Sequence, residues 1–218
     1  MQTPPRSGRT EQSRTRLVDA AALELIAGDG SFEITDFARR AGVSVGLAYF
    51  RFGSKAGLIS AVVDAFYDRV ARVIDLSDSV ELDWGLRERE RLRRLVAFLY
   101  SEALAPILIS KLARDPEVAA VEAARWSELI LAAARNISKA QKRGQIEATH
   151  DPQVLAALIS GGIRHAVGHA LASPRRPTEE ALTDEIWGFV ARGLALPAPR
   201  SGAQQPGTLR GSRLRRRH

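Results

Sequence analysis

The chain has 218 residues, 45% apolar and 26% charged, with a formal net charge of +7. That is enough apolar material for one large or two small globular domains. It has no cysteine, which excludes a disulfide framework and thiolate chemistry. No uninterrupted apolar run approaches the roughly 18 residues of a membrane span, and the first ten residues lack the apolar centre of a secretory signal. The expectation is a cytoplasmic protein with no membrane partner.

Residues 1–11 are rich in Pro, Gly and Arg and are expected to form a disordered basic arm, with Arg14 and Arg16 extending the charge. A first helix is predicted over 12–28 from the stripe Leu17, Val18, Ala21, Ala22 and Leu25, ended by Gly28-Asp29-Gly30. A short helix follows at 34–41, with Phe37, Ala38 and Ala41 on one face. Gly42 stops it, because glycine takes a left-handed backbone at little cost. Val43 plugs the turn, and Ser44 is a good N-cap for a helix over 45–51. Two short helices joined by a glycine-containing turn make a helix-turn-helix, whose second helix enters the DNA major groove.

Val45, Gly46 and Leu47 are small or apolar and permit close approach to the groove. With Phe50 they are expected to face base edges or thymine methyls. Tyr49 offers a hydroxyl to a phosphate oxygen, and Ser44 and Arg40 are further candidate phosphate contacts. Phe52 reads as a core plug. Ser54 caps the next helix, with Lys55 in its first turn, and a helix N-terminus beside a lysine is a natural phosphate site.

A long helix is predicted over 55–75, its stripe running from Leu58 and Ile59 to Val70 and Ile74. An Asp- and Ser-rich loop leads to Trp84, then helices near 86–104, 107–113 and 116–143, the last opened by Pro116 and closed by Gly144. Asp151-Pro152 opens a helix over 152–172, and Thr178 caps a final one over 179–195. No segment alternates with the period of a strand, and there are no internal repeats. The fold class is therefore all-α: a three-helix DNA-binding domain at 12–54, a helical body at 55–196 and an Arg-rich disordered tail at 197–218. That tail holds six Arg and no acid, and removing those six from the +7 leaves +1.

The sequence carries no catalytic signature. His165 and His169 have a metal-compatible i, i+4 spacing but no third ligand nearby. They read as surface or interface histidines. Acidic residues are scattered, no GxxxxGK phosphate loop occurs, and no serine sits in a nucleophile elbow. No metal, cofactor or catalytic residue is expected. The run RERERLRR at 87–94 reads as a solvated face laced by ion pairs. Gly161-Gly162 interrupts a helix at up to about 1 kcal/mol each, which suits close helix packing, inside one monomer or across a two-fold seam.

Ala38, Ala41-Gly42-Val43-Ser44, Gly46, Tyr49, Phe52, Ser54-Lys55 and Leu58 together resemble the DNA-binding domain of the TetR family of transcriptional regulators. The match covers the first quarter to third of the chain. It departs at Ala48, usually a larger apolar residue, at Ala56, usually Glu, and at Glu33-Ile34, where the first helix usually starts with Thr. The resemblance implies a homodimer and a C-terminal effector-binding and dimerisation domain. Its seam would be the helix pair 152–172 and 179–195, through Ser160, Gly161, Gly162, Ile163, Ile186, Phe189 and Val190. Such dimers read half-sites about one DNA turn apart. The resemblance also implies a ligand pocket between the helices of 86–143 and the lower part of 152–172, with Trp84, Phe98, Tyr100 and Trp126 as lining candidates. An apolar or amphipathic small effector suits such a site. The resulting expectation is a ligand-responsive regulator, a repressor, on a palindromic operator. The alternative is an architectural DNA binder that uses arm and tail without sequence preference.

Overall fold

The structure, a computed structural model, describes residues 6–76, 83–110 and 116–196. The expectations placed on 1–5, on the loop at 77–82, on 111–115 and on the Arg-rich tail lie outside the described residues. The described chain is helical throughout: α1 (Arg6–Ala27), α2 (Ile34–Ala41), α3 (Val45–Phe52), α4 (Lys55–Ile74), α5 (Trp84–Ser101), α6 (Ala105–Ser110), α7 (Pro116–Lys142), α8 (Pro152–Ala172) and α9 (Glu179–Gly193).

Helix α1 begins at Arg6 rather than 12, so residues 6–11 are helix and not an irregular arm. The added residues, 6–11, read RSGRTE and include Ser, Gly and Thr, which are weak helix formers. Their lack of an apolar stripe hid them from periodicity. Helix α5 likewise starts earlier than expected, at Trp84, because Asp83 caps it through Gly85 N–H at 2.9 Å. Pro106 lies in the first turn of α6, where its missing N–H costs nothing.

Side-chain caps hold several other ends. Ser54, Asp151 and Thr178 each accept from a backbone N–H of the first turn, worth about 1 kcal/mol apiece.

Helix α1 packs on α2 and α4, and α3 packs on α2 and α4. Leu25, Phe37 and Leu58 at the centre of this N-terminal unit are fully buried, and each contributes roughly 1.5–3 kcal/mol by leaving water. The first half of α4 thus completes the reader's core. Its second half packs on α5 and α7, which form the body with α8 and α9. One uninterrupted helix, about 30 Å long at 1.5 Å per residue, therefore belongs to both parts.

Helix α8 is, by length and composition alone, apolar enough to cross a membrane, with a mean hydropathy of 1.3 over its best window. The sequence reading missed it because Arg164, His165 and His169 interrupt the apolar run. Its inner face packs on α7, α6 and α9, and Arg164 is hydrogen-bonded within the fold.

Candidate functional site

The turn between α2 and α3 is built by Gly42 and Ser44. Gly42 sits at φ 67°, in the left-handed region, and its N–H returns to the end of α2. Ser44 accepts from Leu47 N–H at 3.1 Å and starts α3. At 100° per residue, positions 45, 48 and 52 share one face of α3. Ala48 is buried, and Val45 and Phe52 pack against the core. The opposite face is Gly46, Leu47 and Phe50, with Tyr49 and Arg51 on its flanks. Phe50 is 83% exposed, Tyr49 44% and Leu47 38%.

Val45 was expected to face the groove. The structure turns it inward, because i, i+3 spacing ties it to Ala48. A Cβ on Gly46 would meet nothing nearer than Ser44 Oγ at 4.0 Å. The fold itself therefore does not require glycine there.

Beside this face, Ser54 accepts from Gly57 N–H at 2.8 Å and opens α4. Lys55 Nζ lies 3.9 Å from Glu33 Oε1 and 5.3 Å from the centre of the Phe32 ring. The ring supports the ammonium while Glu33, itself 80% exposed, holds it loosely. Lys55 and the first-turn N–H groups of α4 together form a positive end. Arg40 is different from its expectation: its Nε bonds to Glu24 of α1. Glu24 lies within its reach because α1 and α2 pack together, so Arg40 braces the unit. Glu33 caps α2 without a side-chain hydrogen bond.

The body holds a partly open cavity of about 490 Å³, lined by residues of α4, α5, α6, α7, α8 and α9. Trp84 and Trp126 line it, and Phe98 and Tyr100 do not. The cavity face of α5 is the stripe Trp84, Glu88, Arg91, Leu92, Leu95 and Leu99. Residues 98 and 100 fall off that stripe: Phe98 packs on Phe66 at 5.8 Å between ring centres, and Arg176 sits 5.1 Å over Tyr100. Sequence reasoning missed the contributions of α4 (Tyr67, Val70, Ile74) and α9 (Trp187, Val190). The unbroken stripe of α4, longer than the reader needs, was the available signal.

The walls are mostly apolar, with Asp75, Asn136 and Ser160 among the lining residues and two clusters centred on arginines. At one, Arg164 of α8 donates to Tyr67 Oη of α4 at 3.1 Å and to Glu122 of α7, and its guanidinium lies 5.1 Å over Trp126. Burial raises the Tyr67 hydroxyl above its ordinary range. Burial works against the Arg164 charge, but the bond to Glu122 and the contacts with Tyr67 outweigh it and raise its pKa. At the other, Arg91 donates to Ile74 carbonyl at 2.9 Å and to Glu88. Both arginines that line the cavity are thus already matched to a carboxylate.

The outer face of α8 and α9 carries several large exposed apolar side chains. Phe189 is 73%, Leu158 67% and Val154 56% exposed. A Cβ added at Gly161 or Gly162 meets nothing within 4 Å, so no packing inside the protomer accounts for either glycine. Ile163, Ile186 and Val190 line a groove between α8 and α9 together with Leu158, Gly162 and Phe189, although Ile186 and Val190 are largely buried in the protomer and Ser160 and Ile163 also reach the cavity. Helix rotation decides this: the outward stripe of α8 is Val154, Leu158, Gly162, His165 and His169. His165 Nδ1 lies 2.9 Å from Gly161 carbonyl. Among the described residues, no three or more potential ligating side chains gather into a metal site.

A small helix-turn-helix unit joined by a continuous helix to a hollow helical body defines a DNA-binding regulator. Residues 19–62 match the model of the bacterial regulatory proteins of the tetR family, which identifies the N-terminal unit as a DNA-binding domain of the TetR type. The matched span runs from the second half of α1 through α2 and α3 into the first half of α4, the elements that share the reader's core. No curated protein matches the chain in sequence.

Solved structures match it in fold. A protein described as a TetR-family transcriptional regulator from Rhodococcus sp. is 22% identical, with a TM-score of 0.69 over 84% of this chain and 99% of that one. The fatty acid degradation regulator FadR from Bacillus halodurans is 14% identical, with a TM-score of 0.73 over 90% and 100%. FadR from Bacillus subtilis, solved with stearoyl-CoA, is 16% identical, with a TM-score of 0.69 over 82% and 98%. At these identities the likeness is one of fold.

Proposed function

We propose that the protein is a ligand-responsive repressor that binds a palindromic operator as a homodimer in the cytoplasm and leaves it when a small molecule fills the body. The observation that carries this reading is α4. Its first turn holds Lys55 beside the reading helix, and its last turns form a wall of the cavity. A ligand that prefers one placement of α4 changes the spacing of the two readers. The coupling equals its difference in affinity between the two dimer shapes.

In the DNA-bound dimer, Gly46, Leu47 and Phe50 face the major groove, while Tyr49, Lys55 and the Ser44 hydroxyl hold phosphates. The partner copy covers Leu158, Gly161, Gly162 and Phe189, leaving two readers for successive grooves. The effector has a mainly apolar body, matched to the mostly apolar walls. Stearoyl-CoA in the Bacillus subtilis FadR structure makes long acyl chains a reasonable first class to test. Because Arg91 and Arg164 are each paired with a carboxylate, the part of the effector inside the cavity is uncharged.

The test is selection of bound sequences from a random duplex pool at about 150 mM salt, which suppresses non-specific phosphate binding. The selected duplex is then titrated with acyl-CoAs and with neutral amphiphiles. An enriched palindrome released by one of these classes supports the proposal. Binding that only fades with salt and favours no sequence defeats it and supports the architectural alternative.

A further inference from the structure

We infer that the reading helix recognises 5-methylpyrimidines, thymine above all, through an apolar contact made by Phe50 and Leu47. This rests on the operator-reading function proposed above and names what it reads. In the major groove, thymine differs from cytosine by a C5 methyl and by an acceptor in place of an amino donor. A protein can select thymine with a bonding side chain or with an apolar one.

The outward centre of α3 offers only the second means. It consists of Gly46, Leu47 and Phe50 and carries no side-chain hydrogen-bonding atom. The nearby polar groups are committed or placed at the margin. The Ser44 oxygen accepts from Leu47 N–H. Arg40 is tied to Glu24 and Arg39 to Asp36. Tyr49 and Arg51 lie about 90–100° around the helix from the middle of the face, toward the groove walls where phosphates run.

Phe50, by contrast, is the most exposed large apolar residue described, at 83%. Its ring packs on nothing in the fold, so its aromatic surface is available to a partner. Gly46, one turn earlier on the same face, removes the side chain that would hold the ring away from the bases, and the protomer makes no contact that demands glycine there. A bare backbone next to an unpaired ring fits the flat, methyl-studded edge of a thymine-containing step.

The test uses the full chain and its selected operator. Each thymine is replaced in turn by deoxyuridine, which removes the methyl and nothing else. Burying one methyl is worth about 0.8 kcal/mol, or about fourfold in Kd, and about fifteenfold when both half-sites lose it. We expect one or two positions per half-site to show this loss. Phe50→Ala should bind more weakly and respond little to deoxyuridine at one of them. A C·G pair introduced there should regain affinity when its cytosine carries a C5 methyl. Because Phe50 is exposed, this variant keeps the wild-type melting temperature. A selected palindrome whose affinity is unchanged by deoxyuridine at every thymine overturns the inference while leaving the operator reading intact. Failure to select any palindrome removes both.

Discussion

Phe189→Asp should convert the protein to monomers without unfolding it. Phe189 is 73% exposed in the protomer, which for a phenyl side chain of about 200 Å² is roughly 150 Å² of apolar surface. At about 25 cal/mol per Å², covering it in a two-fold pair is worth about 3.7 kcal/mol per copy, twice that per dimer. If the partner covers only half, the loss is still about 3.7 kcal/mol per dimer, a rise of roughly 500-fold in the dimer dissociation constant. Two buried aspartates facing one another add a desolvation cost.

Sedimentation equilibrium reads the association directly, and urea unfolding monitors the protomer, whose stability should change by no more than about 0.5 kcal/mol, as at an ordinary surface site. Operator affinity should fall with it, since a monomer holds one half-site. A variant that remains dimeric at micromolar concentration would refute the argument that α8 and α9 form the seam. One that loses protomer stability would show that Phe189 belongs to the core.

Lys55→Ala should weaken binding to all duplexes alike and reduce the slope of log K against log salt by about 1, measured by anisotropy between 50 and 200 mM salt. Ser54→Ala should cost about 1 kcal/mol in urea unfolding by freeing Gly57 N–H at the start of α4. Glu122→Leu strands the half-buried Arg164 charge and should cost about 2 kcal/mol, measured the same way, a value discounted because the Arg164 side chain is 24% exposed. The carboxyl of Glu90 is lowered to about 2, first by its hydrogen bond with Arg93 and against the opposing effect of burial. Its folded pKa lies below the unfolded value of about 4.3, so its contribution is present above that value and is lost as pH falls toward 2. Glu90→Gln should therefore flatten the acid limb of stability in that window, read by thermal melts from pH 5 to 2.

Much of this molecule is fixed by local chemistry. Gly42 and Ser44 define a turn whichever residues surround them, because one supplies a left-handed backbone and the other a cap. Ser54, Asp151 and Thr178 mark helix starts for the same reason, and the stripe of α4 announces a buried helix by its period alone. The family match over residues 19–62 follows from the same short-range pattern. Local sequence does not determine rotation about a helix axis to better than a residue or two, and that rotation sorts inward from outward. Val45 and Leu47 look alike in sequence, yet packing on the core takes Val45 inside and leaves Leu47 out.

The same rotation buries Ile186 and Val190 while exposing Phe189, and it removes Phe98 and Tyr100 from the cavity that Trp84 and Trp126 line. The Arg164–Glu122–Tyr67 cluster joins residues up to 97 positions apart. Its members carry no signature in sequence, because each is an ordinary polar residue until α4, α7 and α8 come together. Sequence determined the elements and the reader. Only tertiary packing decided which side chains meet in the cavity and which remain for DNA and for a second copy, since burial is a property of neighbours distant in the chain.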